Sequence, residues 1–345
     1  MGPRFKWAGL VIGFMWAAPT AGQQLSEHAV SFNRTVPTLQ AARLLGAPPD
    51  LDGRLDDPQW ASADVATGFV QFEPDEGAAP AERTEARVLY GDDALYVAMR
   101  AFDRSPGDIV AQLARRDEEP HSDWLEVVVD SYDDRRTAFR FGVNPAGVKK
   151  DSYHFDDTNE DNSWDAVWDV ATATDDAGWS AEFRIPYSQL RFGPAPEQSW
   201  GINFVRVIAR HQETSVWAPL SRGESAIVSR FGRLQGLRDL SPPRRLEVLP
   251  YSLVRMAASP GDSNNPFYDP DDFFSTGGAD LKYGVTSNLT LDVTINPDFG
   301  QVEADPAQLN LTAFETFFPE RRPFFIEGAN IFRFRFSGGD GDGAN

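Results

Sequence analysis

Trp124, Glu126 and Arg140 are the residues whose types and spacing first suggest chemistry. They fall in HSDWLEVVVDSYDDRRTAFRFGVNPAG, residues 121 to 147, which reads as two strands joined by a polar turn. The period of two puts Trp124, Glu126 and Val128 on one face of the first run and Leu125, Val127 and Val129 on the other. In the returning run Arg140, Gly142 and Asn144 share a face opposite Phe139, Phe141 and Val143. One face is a core. The other presents an indole, a carboxylate, a guanidinium and an amide, a set able to stack on and hydrogen-bond a polyhydroxylated ligand. Arg140 also reads as a cross-strand ion-pair partner of Glu126. Trp164, Trp168 and Trp217 are further stacking candidates, with core packing as their alternative. Trp179 has the same two readings, and Trp60, on a short helix, reads as a core plug.

Other reactive types do not assemble into a catalytic pattern. Asp156, Asp157, Glu160 and Asp161 could hold calcium, a hard cation that takes oxygen ligands, or form a solvated loop. The cluster lacks the spacing of a known calcium loop. Gly338 to Gly343 has one copy of a glycine-aspartate alternation and reads as a flexible loop. His28, His121, His154 and His211 are scattered, and no G-x-S-x-G elbow occurs. Carboxylates are plentiful, yet no two are singled out as an acid/base pair. Any activity would be hydrolysis of O-glycosyl bonds, but the reading is of a binding protein and not an enzyme.

The elements that must position these residues are strands. Thr-, Val- and Phe-rich runs at 85–90, 94–103, 167–174, 179–185, 202–208, 215–218 and 231–237 alternate with turn residues, the pattern of an all-β sandwich. Asp108 to Arg115 is expected to form one or two helical turns, and short helices are expected at Trp60 and at 187–190. Ser241-Pro242-Pro243-Arg244-Arg245 marks a boundary. Beyond it, 246–256, 278–285 and 288–296 have the length and alternation of transmembrane barrel strands, a pattern a soluble antiparallel sheet shares.

Residues 1–22 carry Arg4 and Lys6, an apolar run from Trp7 to Ala18 and a small-residue exit, the layout of an export signal. A flexible leader, 23–38, follows. The expected location is the periplasm or outer membrane of a Gram-negative-type bacterium. The formal charge of -20, or -22 without Arg4 and Lys6, argues against a nucleic-acid partner. With no cysteine, disulfides and thiolate metal sites are excluded.

Two resemblances organise these pieces. Leu51-Asp52-Gly53, Asp56-Asp57-Pro58-Gln59-Trp60, Leu95-Tyr96-Val97, Asp123-Trp124-Leu125-Glu126-Val127, Val143-Asn144-Pro145-Ala146-Gly147, Gly178-Trp179-Ser180-Ala181-Glu182 and Ile185-Pro186-Tyr187 resemble the family 9 carbohydrate-binding module. The resemblance implies a β-sandwich over 39–240 that binds carbohydrate, in some members with structural calcium. Family members sandwich a sugar between two tryptophans. Their counterparts here are Pro120 or His121, and Ser225 or Ala226, so the clamp is missing while the strand glutamate remains as Glu126.

Asn296-Pro297-Asp298-Phe299-Gly300-Gln301-Val302-Glu303-Ala304-Asp305-Pro306 and Phe317-Phe318-Pro319-Glu320-Arg321-Arg322-Pro323-Phe324-Phe325-Ile326-Glu327-Gly328 are similar to domain-of-unknown-function family 5916, which sets such a module before an outer-membrane β-barrel. Residues 241–345 are then expected to be the start of an incomplete barrel, either because the sequence is a fragment of a longer chain or because the barrel does not close within one chain. The implied function is non-catalytic ligand capture or passage at an outer-membrane barrel. The alternatives are a structural or gating domain without sugar binding, and a part of a glycoside hydrolase system.

Overall fold

Strands whose successive side chains point to opposite faces build two sheets that bury one face each against the other. The computed structural model describes residues 36–242, 246–258, 271–285 and 289–296. The export signal, most of the leader, Gly338 to Gly343 and nearly all of the 296–306 and 317–328 motifs lie outside them. Six strands form one sheet, in the order Asp169–Asp175, Gly178–Pro186, Ala94–Phe102, Thr84–Tyr90 and Ala42–Arg43, with Val65–Ala66 also on Thr84–Tyr90. The larger sheet runs Thr38–Gln40, Gly232–Arg238, Glu197–Ile208, Trp124–Asp130, Ala138–Val143, Lys149–Phe155 and Asn159–Asp161. Glu213–Val216 joins it on Glu197–Ile208 and carries Val70–Glu73.

The segment 38–43 ties the two sheets together. Thr38–Gln40 pairs in parallel with Gly232–Arg238, and Ala42–Arg43 pairs in parallel with Thr84–Tyr90 in the other sheet. Between the sheets, Leu125, Val127, Val129, Phe139, Phe141 and Val143 meet Val88, Val97, Met99, Trp179 and Phe183 in one core. The face assignment read from alternation therefore holds for this hairpin. Burying each large apolar side chain contributes roughly 1.5–3 kcal/mol relative to exposure.

The helical expectation for 108–115 is corrected: only Pro106–Asp108 turns, as a 3-10 element. The backbone beyond it is drawn out along the hairpin by lateral hydrogen bonds. The Val110 carbonyl accepts from Asp123 N–H and Ser122 Oγ, and the Gln112 carbonyl accepts from Asn144 Nδ2. Those partners replace the i−4 bonds a helix would need.

Past the boundary, Leu246–Ala258, Asp271–Gly284 and Thr290–Ile295 form an antiparallel sheet, open among the described residues. The middle strand begins seven residues before the expected 278. Its register aligns Leu246 with Tyr283 and Leu291, and Val248 with Leu281 and Val293. Since directly paired residues share a face, one side is mostly apolar and also holds the exposed Val254, Met256, Phe273 and Ile295, with Ser252, Ser275 and Gly277 interrupting it. The opposite side mixes Asp280, Lys282 and Thr294 with Leu249 and Phe274.

Candidate functional site

The outward face of the larger sheet places Glu126, Gly142 and Lys150 in one cross-strand row. The adjacent row is Val128, Arg140 and Ser152. Gly142 makes the first row work. A Cβ there would lie 2.9 Å from the Lys150 stem and 3.3 Å from Glu126 Cγ, so only glycine lets the lysine cross the middle strand to the carboxylate. Lys150 Nζ comes within 2.9 Å of Glu126 Oε1, while Arg140 donates to Oε2 through Nε at 2.9 Å.

Glu126 itself is fully buried. Burial alone would raise its pKa, but the Arg140 and Lys150 charges override it and hold the carboxyl at about 2. Arg140 is correspondingly raised, by Glu126 and Glu160 against its own desolvation. It reaches Glu160 through Nη1 at 2.7 Å, and Glu160 also accepts from Ser152 Oγ. Lys150 pairs in turn with Glu119 and lies 4.4 Å from the Trp124 ring centre. The pairing of Glu126 with Arg140 is thus realised, inside a larger network.

This network floors a recess bordered by Asp117, Glu119, Arg140, Lys150, Glu160 and Asn162. Its volume of about 40 Å³ admits a water or a hydroxyl group but not a sugar ring.

The expected residues separate into distinct environments. Trp124 is only 3% exposed, with its ring beneath Lys150. Trp168 and Trp217 are corrected as stacking candidates: both belong to the inter-sheet core and offer no free ring face. Trp168 stacks on Phe183 and donates Nε1–H to the buried Asp151 carboxylate, while Trp217 packs on Phe204 over Gly232. Trp164 is half-buried at the sheet edge, its ring 5.1 Å from that of Phe139. It borders a second small recess with Gln189, Glu247 and Lys282. Asn144 is also removed from the ligand set. Its amide closes the 144–148 turn by accepting from Ala146 and Val148 N–H, and it donates to Gln112 and Ser122.

The acidic cluster is a largely solvated loop, with Asp156 and Glu160 exposed, and two of its members are tied to the sheet. Asp157 accepts from Ile227 N–H, Ser229 N–H and Ser229 Oγ and so pins the 227–229 turn to the sheet, while Glu160 belongs to the Arg140 network. Among the described residues no group of three acidic or histidine side chains is placed to hold a metal ion.

Lys150 is the participant that the hairpin alone did not reveal. Its signal was the alternation in Lys149–Phe155, which sets Lys150, Ser152 and His154 on one face, together with the side-chain gap at Gly142.

Residues 51–215 match the family described as carbohydrate family 9 binding domain-like, and residues 242–335 match the domain of unknown function DUF5916. Among solved structures, a carbohydrate binding module family 9 from Caldicellulosiruptor kristjanssonii in complex with cellotriose is 19% identical. The match covers 59% of this chain and 95% of that one, at a TM-score of 0.44. A family 9 module from the same organism in complex with glucose matches at 19% identity over 60% of this chain and 100% of that one, with a TM-score of 0.43. No curated protein matches the chain.

Proposed function

From a chain that joins a family 9-like carbohydrate-binding domain to a DUF5916 region, we propose a non-catalytic receptor that captures saccharide beside an outer-membrane barrel. The observation that carries the sugar reading is the convergence of Arg140, Lys150 and Glu160 on one recess of the outward sheet face, both cations held from beneath by the buried Glu126. Such a set of fixed donors and acceptors orients hydroxyls, while the missing aromatic clamp predicts weak, polar-dominated binding. Calorimetric titration of the purified protein with cellotriose and glucose tests it. Arg140→Ala and Lys150→Ala are each expected to weaken binding at least ~10-fold, the loss of one charged hydrogen bond. Binding that both variants leave unchanged would move the ligand elsewhere.

The barrel reading rests on the apolar strip of Leu246, Val248, Tyr283, Leu291, Val293 and Ile295. Fractionation of the producing bacterium, with alkaline extraction of the envelope, is expected to leave the protein with outer-membrane lipids. Recovery in the soluble periplasm would count against it.

One contact favours the second reading, a structural or gating domain. Gln189 Nε2 donates to Glu247 Oε1 at 2.9 Å and ties the sandwich to the first strand past the boundary. If gating is the role, Gln189→Ala alters passage through the reconstituted protein while glycans bind neither form.

A further inference from the structure

A small recess lies where the sandwich meets the sheet past the boundary, and what that sheet contributes to it comes from one side only. Glu247, Lys282, Gly284 and Thr290 line the recess opposite Trp164, Asp165, Ser188 and Gln189. Register places those four on the side that carries Asp280, Asp292 and Thr294, away from Leu246, Val248, Leu291 and Val293. At this end Glu247 and Lys282 are half-buried, while Leu246, Val248 and Leu291 are exposed. An antiparallel sheet with one face in water does the reverse and covers its apolar side.

The contact is built from fixed groups. Gln189 Oε1 accepts from Val167 N–H while Nε2 donates to Glu247 Oε1 at 2.9 Å, so one buried side chain joins two segments of the sandwich to the first strand beyond it. The Trp164 ring lies against Phe139 and Phe141 and stiffens the same edge. Lys282, aligned in register with Glu247 and Asp292, brings its charge to bear on the Asp165 carboxylate.

The contact also lies at a defined end of the strands. Glu247 stands near the start of Leu246–Ala258, Lys282 and Gly284 close Asp271–Gly284, and Thr290 opens Thr290–Ile295. At that end the chain enters from the sandwich, and Val285 N–H donates to the Leu289 carbonyl across a short connection. The opposite end is joined through the longer segment 259–270. In outer-membrane barrels short turns face the periplasm and longer loops face outward, while the apolar side of the wall meets lipid and the polar side lines the lumen.

We infer that the sandwich is seated in the periplasmic mouth of the barrel, against the lumen side of its wall, and closes the pore until the contact through Gln189 and Asp165 releases. The inference rests on the barrel reading above and adds which side of the wall the sandwich occupies.

Conductance of the whole protein in planar bilayers, with thiol labelling in outer-membrane vesicles, tests it. The chain has no cysteine, so each introduced thiol reports alone. Glu247→Ala and Asp165→Ala remove side chains that are not buried, so both variants fold. The open fraction of the pore is expected to rise about tenfold in Glu247→Ala, the loss of one hydrogen bond to a charged acceptor, and to rise in Asp165→Ala as well. Gln189→Cys combined with Glu247→Cys should open the pore likewise, and a short bismaleimide joining the two thiols should shut it. Thr294→Cys is expected to react with a water-soluble maleimide, and Val293→Cys only with a lipid-soluble one. If 293 and 294 label in that way but the release variants conduct like the unmodified protein, or the cross-link leaves conductance unchanged, the seat is overturned and the barrel stands. Equal labelling of both positions by the water-soluble reagent overturns the barrel reading and the seat with it.

Discussion

Glu126→Gln isolates what the buried ionic row contributes. Taking the ordinary carboxyl value of 4.5 and the folded value of about 2, the linkage between ionisation and folding amounts to about 3 kcal/mol. The sign follows from the depression of the folded pKa. The stabilisation is present above pH ~4.5 and is lost as pH falls toward 2. Glutamine keeps the shape and removes the charge. Arg140 retains Glu160 and Lys150 retains Glu119, so the cations are not orphaned and the cost need not reach the upper range for a broken buried pair. Urea unfolding followed by tryptophan fluorescence at pH 7, and at the lowest pH where both proteins stay folded, reads the difference. The expected gap is about 3 kcal/mol at pH 7, narrowing as pH falls. A gap of the same size at both pH values would assign the effect to packing, and no gap at pH 7 would refute the electrostatic account.

Three further perturbations follow from the same geometry. Gly142→Ala drives a methyl group into the Lys150 stem and is expected to cost about 1–3 kcal/mol and to weaken the acid dependence attributed to Glu126, both measurable by urea titration against pH. Asp130 is raised to about 6, chiefly by burial and despite hydrogen bonds from Arg135 and Asp134 N–H. Its contribution is present below pH ~3.8 and is lost as pH rises through 6, so Asp130→Asn should be gained on by the unmodified protein as pH falls from 7 to 4, by ~2–3 kcal/mol. Trp60→Phe keeps an aromatic ring but shortens it and strips Glu182 of its 2.8 Å indole donor, and thermal unfolding should report a loss of about 1–3 kcal/mol or more, the lost hydrogen bond plus the space vacated.

Much of the sandwich was legible because its signal is local. In Trp124–Asp130 and Ala138–Val143 a side chain's face is fixed by its place in the strand, and Leu125, Val127, Phe139 and Phe141 all went to the core as alternation requires. The same reasoning found the three elements past the boundary whose apolar residues align in register. It failed where a residue's partner lies far along the chain. Trp168 and Trp217 cannot be told from ligand-stacking tryptophans until Phe183 and Phe204 are known to lie against them. Asn144 looks like a free amide until the turn it closes is seen.

The sequence by itself determined the period of the strands and the pairing of Glu126 with Arg140 across a short hairpin, because each depends on neighbours within a few tens of residues. Tertiary structure alone decided which strand lies beyond Gly142 and therefore that Lys150 reaches Glu126. It also decided that Ser180 and Ala173 fall in one row with Arg100, hollowing a cleft on the second sheet. The physical reason is that a strand specifies its own two faces, whereas the neighbours on each face are set by packing the whole chain at once.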